Sequence, residues 1–248
     1  MCLRTDNQNG GISYLYLNSD ILNGNLKIIT PDDKNVDLVV FRVARARDFF
    51  QSANNTVGQP SPKIKLGWFD ASLVLNQKEL NKFDITEGAE MFFVGLFTPF
   101  YGANRNIPIC RFGHLSMLPD EPIVFGNGKA QNLYLMETEA YGGNSGSPAF
   151  FSFDQGYFAR RLSNLRSGAA LFNSADNKRI LFAGVVNAYF PDYEQIKLQN
   201  TTVIPLSQGN TGIASIVPAP YLYDILFSKS EQDFRNEVWS LVPHTGYK

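Results

Sequence analysis

A serine inside a glycine-rich turn is the residue of this chain best suited to covalent chemistry. Ser145 lies in the segment Gly-Gly-Asn-Ser-Gly-Ser-Pro at residues 142–148, and an apolar run follows it at residues 149–151. Small neighbours let the backbone come close to a substrate carbonyl. Successive backbone N–H groups can converge on an oxyanion, and one such donor lowers a barrier by roughly 3–4 kcal/mol. The turn therefore predicts a nucleophilic serine with a backbone oxyanion hole.

The same turn also fits an ordinary β-hairpin, because glycine, asparagine, serine and proline are common turn residues. Composition alone leaves these two interpretations about equal. Two other motifs are excluded by the spacing. The nucleophile elbow of α/β-hydrolases, G-x-S-x-G, is not matched, because Ser147 stands where the second glycine is required. The phosphate-binding loop G-x-x-x-x-G-K-[ST] is absent.

Cysteine and histidine are scarce in this chain. The two cysteines are Cys2 and Cys110, and the two histidines are His114 and His244. Residues so widely spread do not have the spacing of a zinc site, and two cysteines cannot form a disulfide scaffold. We therefore expect no metal site. Free thiols fit a reducing compartment, so a cytoplasmic location is favoured.

The elements that must position the serine are short strands. Apolar runs rich in Val, Ile, Phe and Tyr recur between turn residues, at 12–17, 36–43, 91–97, 133–136, 180–186 and 212–217. They are too short for helices and indicate strands. Many short strands without alternating long helices predict an all-β barrel or sandwich. A short helix is expected at 219–229, and loops are expected at 51–62, 102–108 and 154–178.

Size and charge restrict the partners. The chain has 248 residues, which suits one large or two small domains. Lys plus Arg is 22 and Asp plus Glu is 23, so no basic excess favours nucleic acid. No apolar run approaches the roughly 18 residues of a membrane span. Residues 1–6 show no signal peptide.

The segment Gly-Asn-Ser-Gly-Ser-Pro at 143–148 resembles the nucleophile motif of trypsin-like serine peptidases with the chymotrypsin fold. The variant is similar to that of bacterial glutamyl endopeptidases and heat-shock serine proteases. Further segments resemble strands of that fold in the family's order, at 35–43, 87–97, 111–116, 183–188 and 210–218. The resemblance implies two antiparallel β-barrels.

The resemblance also implies a division of the chain. The first barrel would occupy residues 1–105, with its N-terminal part missing, and segment 87–97 would be its last strand. The second barrel would occupy residues 106–225 and carry Ser145. Residues 226–248 would form a C-terminal tail.

Catalytic roles follow from the resemblance residue by residue. Ser145 would attack the scissile carbonyl, and the N–H groups of Gly143 and Ser145 would bind the oxyanion. Asp37 would orient a histidine and stabilise its imidazolium. Asp32 and Asp33 compete for that role, but an apolar strand follows Asp37 directly.

Substrate-binding residues are implied as well. Four consecutive residues would line the cleft and pair with a bound peptide: Val186, Asn187, Ala188 and Tyr189. Glu139, six residues before the nucleophile, would lie near the primary pocket or would be an exposed loop residue, and we favour the second interpretation. The implied partner is a peptide or protein substrate, without a cofactor. The oligomeric state is not predicted.

The catalytic histidine is missing from its expected place. In the family the order is His, Asp, Ser, yet residues 1–36 contain no histidine. His114 follows Asp37 and is expected on a strand away from the cleft, and His244 in the terminal tail. The chain is then either cut from a longer peptidase, which we favour, or a His-less homologue that binds peptides. A third hypothesis is an unrelated esterase or acyltransferase that uses Ser145.

Overall fold

The computed structural model describes most of the chain in nine stretches. These are residues 2–7, 11–16, 26–43, 69–97, 99–100, 102–124, 128–153, 180–195 and 206–240. The loops predicted at 51–62 and 154–178 lie outside the described residues.

Twelve strands, β1 to β12, follow one another along the described chain. In order they are Cys2–Asn7, Gly11–Tyr16, Leu26–Ile29, Val40–Val43, Glu90–Leu96, Pro108–Met117, Ile123–Val124, Ala130–Gln131, Tyr134–Glu137, Pro148–Ser152, Ile180–Gln195 and Leu206–Pro218. Six of them close an antiparallel barrel in the order β10-β11-β12-β9-β6-β5. This architecture confirms the all-β prediction, and the barrel is compatible with a chymotrypsin-like barrel.

The barrel closes because alternate residues of its strands are apolar and turn inward. On β5, Met91 is 1% exposed and Phe93 0%, whereas Phe92 between them is only half-buried. On β10, Ala149 and Phe151 are fully buried in the same way. The side-chain period of two therefore places one face of each strand in a common core, as expected for a half-buried strand.

The position of β5 corrects one expectation. The resemblance assigned residues 87–97 to the end of a first barrel, but β5 pairs with both β10 and β6 and lies within the closed barrel. The predicted boundary at residue 105 consequently falls inside the barrel's own β5–β6 hairpin. Within the described ranges the other strands form separate two-stranded sheets, β1-β2, β3-β4 and β7-β8, and a second barrel is not shown.

The outer face of the barrel carries a row of phenylalanines. Phe92 stacks on Phe150 with ring centroids 5.2 Å apart, and Phe182 stacks on Phe69 at 5.1 Å. Phe150 and Phe182 join these two pairs edge to face at 5.7 Å. The row crosses β5, β10 and β11, so aromatic cross-strand pairs add to the stability of the barrel where these three strands pair.

Helices occupy few of the described residues. The α-helices are α1 (Gln77–Lys82), α2 (Ala219–Leu226) and α3 (Lys229–Ser240), and a short 3₁₀ helix spans Ala71–Leu73. The short helix expected at 219–229 is thus present as α2, whereas α3 lies in the stretch that was predicted as a tail. None of the helices in the described part has the length and apolar character needed to cross a bilayer.

Helix α3 binds the β3–β4 hairpin through one buried acid. Glu231 is 5% exposed, and its carboxylate lies 3.1 Å from Arg42 Nη1 and 3.4 Å from Lys27 Nζ. The Arg42 guanidinium also lies 3.7 Å from the ring centroid of Phe234. A buried carboxylate needs such partners, so this contact holds α3 against the β3–β4 hairpin, which precedes all six barrel strands in the chain.

Candidate active site

The predicted nucleophile turn is built from two consecutive β-turns. The Asn144 N–H donates to the Tyr141 carbonyl at 3.1 Å, and the Ser147 N–H donates to the Asn144 carbonyl at 3.0 Å. The Asn144 side chain is buried, and its Oδ1 accepts the Tyr141 N–H at 2.9 Å. Asn144 therefore holds the turn from inside, which explains an asparagine immediately before the serine.

Two strands anchor the turn to the barrel. The Gly146 N–H donates to the Val186 carbonyl at 2.7 Å, and the Val186 N–H donates to the Ser147 carbonyl at 2.9 Å. On the other side, Asn144 Nδ2 donates to the carbonyl of Leu96 at 3.3 Å. Ser145 is thus fixed between β11 and the end of β5, at one end of the barrel.

The backbone N–H groups of residue 141 and of residues 143–147 divide into two sets. Those of Tyr141, Asn144, Gly146 and Ser147 all donate hydrogen bonds within the protein. Those of Gly143 and Ser145 have no acceptor within the described part of the chain. These two are the N–H groups that the sequence assigned to the oxyanion hole.

Two glycines of the turn adopt the left-handed backbone conformation. Gly143 has φ 96° and Gly146 has φ 88°, both in the region that only glycine adopts readily. Both Gly143 and Ser145 are exposed. These two N–H groups, which have no acceptor among the described residues, can therefore donate hydrogen bonds to the oxygen of a substrate carbonyl.

No histidine of the described part reaches Ser145. His114 is exposed and pairs with Glu90 at the start of β5, whereas the turn contacts Leu96 at the end of β5. These ends of β5 are six residues apart, which is about 20 Å in an extended strand. His244 lies outside the described residues. The exposed Ser145 hydroxyl has no hydrogen-bond partner in the described ranges.

Asp37 lies between a buried contact and a strand. Its neighbour Val36 is buried against Leu133 and Val217, and β4 begins three residues later. Asp37 itself is exposed, without a hydrogen bond or an ion pair to other described residues. Its role toward a histidine stays a prediction.

Asp33, one competitor for that role, is used by the fold. Its carboxylate accepts the Asn35 N–H and the Asn132 side chain, both at 2.8 Å. These bonds close the turn before β4 and attach it to the short connection between β8 and β9, where Asn132 lies. Burial, with a smaller contribution from the Asp33 charge, raises the pKa of the nearby Tyr221 phenol, which is therefore neutral at physiological pH. Asp32 is exposed.

The predicted cleft strand is largely engaged by the protein itself. Both backbone polar groups of Val186 bond to the serine turn, as described above. The Ala188 N–H donates to Ser215 Oγ at 3.1 Å, and Ser215 Oγ donates to the Ala188 carbonyl at 3.2 Å. Asn187 lies at the bulge between them, and its side-chain amide donates to Gln131 Oε1 at 2.9 Å. Tyr189 packs against the core. Their pairing with a peptide stays a prediction.

Glu139 lies on the surface beside the turn. Its side chain is 76% exposed, and Oε2 lies 3.6 Å from Arg111 Nη1 and 3.4 Å from the Tyr141 hydroxyl. The Arg111 guanidinium in turn lies 4.8 Å from the ring centroid of Tyr141. A carboxylate already next to a cation is poorly placed to select a basic substrate side chain.

A pocket that the sequence did not indicate opens next to the turn. Its volume is about 220 Å³, and it is lined by Leu96, Phe97, Pro99, Ile109, Arg111, Tyr141 and Asn144. The sequence contains one residue that could have indicated the pocket. Arg111 is a charged residue in a strand whose other inward positions are apolar or small. The pocket forms where the β5–β6 hairpin meets Tyr141 and Asn144 of the turn, which are distant from it in sequence, so no local pattern could locate it.

Metal-dependent and cysteine-based catalysis find little support in the described part of the chain. No group of three or more His, Cys, Asp or Glu side chains lies close enough to hold a metal ion there. Burial raises the pKa of the Cys110 thiol, so at neutral pH this cysteine is a thiol rather than the nucleophilic thiolate. Ser145 remains the candidate nucleophile.

Comparison with known proteins assigns no family. No family model matches the chain, and no curated protein matches it at a significant level. The motif around Ser145 and the geometry of the barrel are therefore the observations on which a function must be argued.

Gly95 offers a test of how the turn is seated. A Cβ at this position would stand 2.6 Å from Ser147 Oγ and 3.2 Å from Asn144 Nδ2. Gly95→Ala should therefore push the turn away from β5 and lower the free energy of unfolding by about 1–3 kcal/mol. Chemical denaturation measures this value. Gly142→Ala is the matched control in the turn itself, because an added Cβ there meets nothing within 4 Å. Equal effects of the two substitutions would contradict the seating described above.

Proposed function

We propose that this chain is a trypsin-like serine endopeptidase domain, whose reaction is peptide-bond hydrolysis through an acyl-enzyme on Ser145, and that it is inactive by itself because the catalytic histidine is absent from its expected place. The Oγ atom attacks the scissile carbonyl carbon, and the carbonyl oxygen becomes an oxyanion. The N–H groups of Gly143 and Ser145 donate to that oxyanion. A general base takes the proton of the Ser145 hydroxyl and passes it to the amine as the C–N bond breaks, and water then hydrolyses the acyl-enzyme. A peptide or protein is the substrate, and the chemistry requires no cofactor.

One observation carries this proposal. The turn satisfies four of its N–H groups internally and leaves those of Gly143 and Ser145 without an acceptor in the described residues. The buried Asn144 and the bonds to Val186 hold this arrangement in place. A donor pair fixed in advance costs no reorganisation when charge develops on the substrate, so it suits a transition state.

The barrel supports the same proposal. Its six antiparallel strands are compatible with one barrel of the chymotrypsin fold, and the serine turn leads directly into β10. The second barrel, the role of Asp37 and the peptide-pairing role of residues 186–189 belong to the proposal. They follow from the resemblance of the sequence.

The general base is the missing component. Loss of the histidine from a serine-protease triad lowers turnover by about 10⁶-fold. The described residues place no histidine near Ser145, so this chain by itself is expected to show little or no proteolysis. The N–H groups alone give a residual acceleration that does not depend on the serine hydroxyl.

Ser145→Ala is accordingly expected to leave the peptidase rate of this chain unchanged. The rate is measured by mass spectrometry on a mixed peptide library over long incubation, with an unrelated protein of similar size as the blank. If the chain cleaves peptides at ordinary rates and Ser145→Ala abolishes this, a base acts on Ser145 and the proposed inactivity is wrong. His114 and His244 would then be replaced in turn.

A non-catalytic peptide-binding protein is the alternative, and it is favoured because the Ser145 hydroxyl has no hydrogen-bond partner among the described residues. Peptide binding without turnover, unaffected by an added base, would support this alternative. Hydrolysis of small esters but never of peptides would instead indicate the esterase or acyltransferase.

A further inference from the structure

Arg111 places a charge at an inward position of the barrel. It lies opposite Phe93 in the β5–β6 register, and Phe93 is fully buried. The next residue, Phe112, is 74% exposed on the outer face. Side chains alternate between faces along a strand, so Arg111 shares the inner face with Phe93. Only 19% of the Arg111 side chain is exposed.

The guanidinium group is poorly satisfied where it lies. Arg111 Nε is buried and has no hydrogen-bond partner in the described part of the chain. Its ion-pair partner Glu139 is 3.6 Å away and 76% exposed. That separation is longer than a charge-assisted hydrogen bond, which spans about 2.7–2.9 Å. A guanidinium has five donors, and burying it without acceptors is costly. The group therefore has free capacity for an anion.

The surroundings of Arg111 define what kind of anion fits. The pocket of about 220 Å³ is walled by Leu96, Phe97, Pro99 and Ile109, with Tyr141 and Asn144 at the side of the turn. This volume is below the roughly 300–1,000 Å³ of pockets that hold a whole drug-sized ligand. It suits one side chain or one chain end with apolar atoms next to the charge.

We propose that this pocket binds a carboxylate carried on an apolar stem, with Arg111 as the anion-binding residue. The carboxylate displaces Glu139 from Arg111 and accepts two N–H groups of the guanidinium, the bidentate geometry that arginine favours. The source is either the C-terminal carboxylate of a peptide or the side chain of an acidic residue. This binding needs no chemistry at Ser145, so it stands or fails separately from the proposed peptidase activity.

Calorimetric titration of the whole chain tests the pocket with three small probes. N-acetylphenylalanine presents a terminal carboxylate, its primary amide is the neutral control of the same shape, and N-acetylglutamate 1-amide presents a side-chain carboxylate. At least one acid is expected to bind, with the neutral amide at least about tenfold weaker. The acid that binds better identifies the source of the carboxylate.

Three substitutions give the titration its controls. Arg111→Gln should weaken binding of the acid at least about tenfold. Arg111→Lys should retain part of the affinity, because lysine keeps the positive charge but lacks the planar guanidinium that binds a carboxylate through two hydrogen bonds. Glu139→Gln should strengthen binding roughly two- to fivefold, because a competing exposed charge is removed. Glu139→Gln still tests the proposal if Arg111→Gln fails to fold. Failure of both acids to bind, or binding that neither Arg111→Gln nor Glu139→Gln changes, would overturn the proposal. Ser145→Ala should leave the affinity unchanged.

Discussion

Gly184→Ala is expected to destabilise the barrel more than any other single alanine substitution proposed for this chain. Gly184 has φ 152°, and a Cβ there would overlap the carbonyl oxygen of Val217 and stand 2.8 Å from Ile216 Cγ2. Ile216 is fully buried, and a backbone oxygen cannot rotate aside. Backbone strain of about 1–3 kcal/mol adds to overpacking of about 1–3 kcal/mol. We expect a loss of about 2–6 kcal/mol, against a total stability of about 5–15 kcal/mol for a domain.

The consequence reaches the serine turn, because Gly184 lies two residues before Val186. Val186 bonds to the turn through both its N–H and its carbonyl group. A shift of β11 at Gly184 should therefore also displace Ser145. Urea denaturation gives the stability of the variant.

Gly212→Ala is the matched control for this prediction. Gly212 has φ 75°, yet an added Cβ there meets nothing within 4 Å. It isolates the cost of a left-handed backbone, about 1–2 kcal/mol. If Gly184→Ala proves no more destabilising than Gly212→Ala, the close contact of β11 with β12 is not what requires glycine at 184.

Asn144→Ala is expected to destabilise the turn and to reduce the reactivity of Ser145. The asparagine side chain accepts the Tyr141 N–H and donates to the Leu96 carbonyl, and the residue is 3% exposed. Alanine leaves both of these backbone groups without their partner. Each partly buried group that loses its hydrogen bond costs roughly 1–3 kcal/mol. We expect the free energy of unfolding to fall by about 2–4 kcal/mol, as measured by chemical denaturation.

Two companion variants make this result specific. Ser145→Ala changes an exposed side chain one residue away and should alter stability by less than about 0.5 kcal/mol. Asn144→Asp keeps an acceptor for Tyr141 but presents a second acceptor to the Leu96 carbonyl, so it should also destabilise. A stable Asn144→Asp protein would show that the bond to Leu96 contributes little to holding the turn.

The strands could be predicted because their signal is local. The apolar run at residues 91–97 corresponds to β5 at Glu90–Leu96, and the run at 212–217 lies within β12. Alternation of apolar residues reports which side of a strand is buried. The same pattern cannot report the partner of a strand. For that reason the sequence places β5 at the end of a preceding barrel. In the structure, its pairing with β10 closes the barrel that carries Ser145.

The serine turn could be located from sequence because its residue types are required by its backbone. Gly143 and Gly146 adopt positive φ, and Asn144 supplies the internal side-chain bonds. The Arg111 pocket and the buried Glu231 could not be located. Glu231 bonds to Arg42, which is 189 residues away in the chain. Contacts between residues so distant in sequence leave no periodic pattern to detect.

We propose that Ser145 has every feature that a nucleophile requires except a general base. The most direct measurement is peptide mapping by mass spectrometry after incubation with a fluorophosphonate, with and without added imidazole. Imidazole takes the hydroxyl proton, Oγ bonds to phosphorus and fluoride leaves. We expect an adduct on Ser145 that increases with imidazole, persists in Ser147→Ala and is lost in Asn144→Ala. Labelling of Ser145 no faster than in the urea-unfolded chain would contradict the proposed nucleophile site.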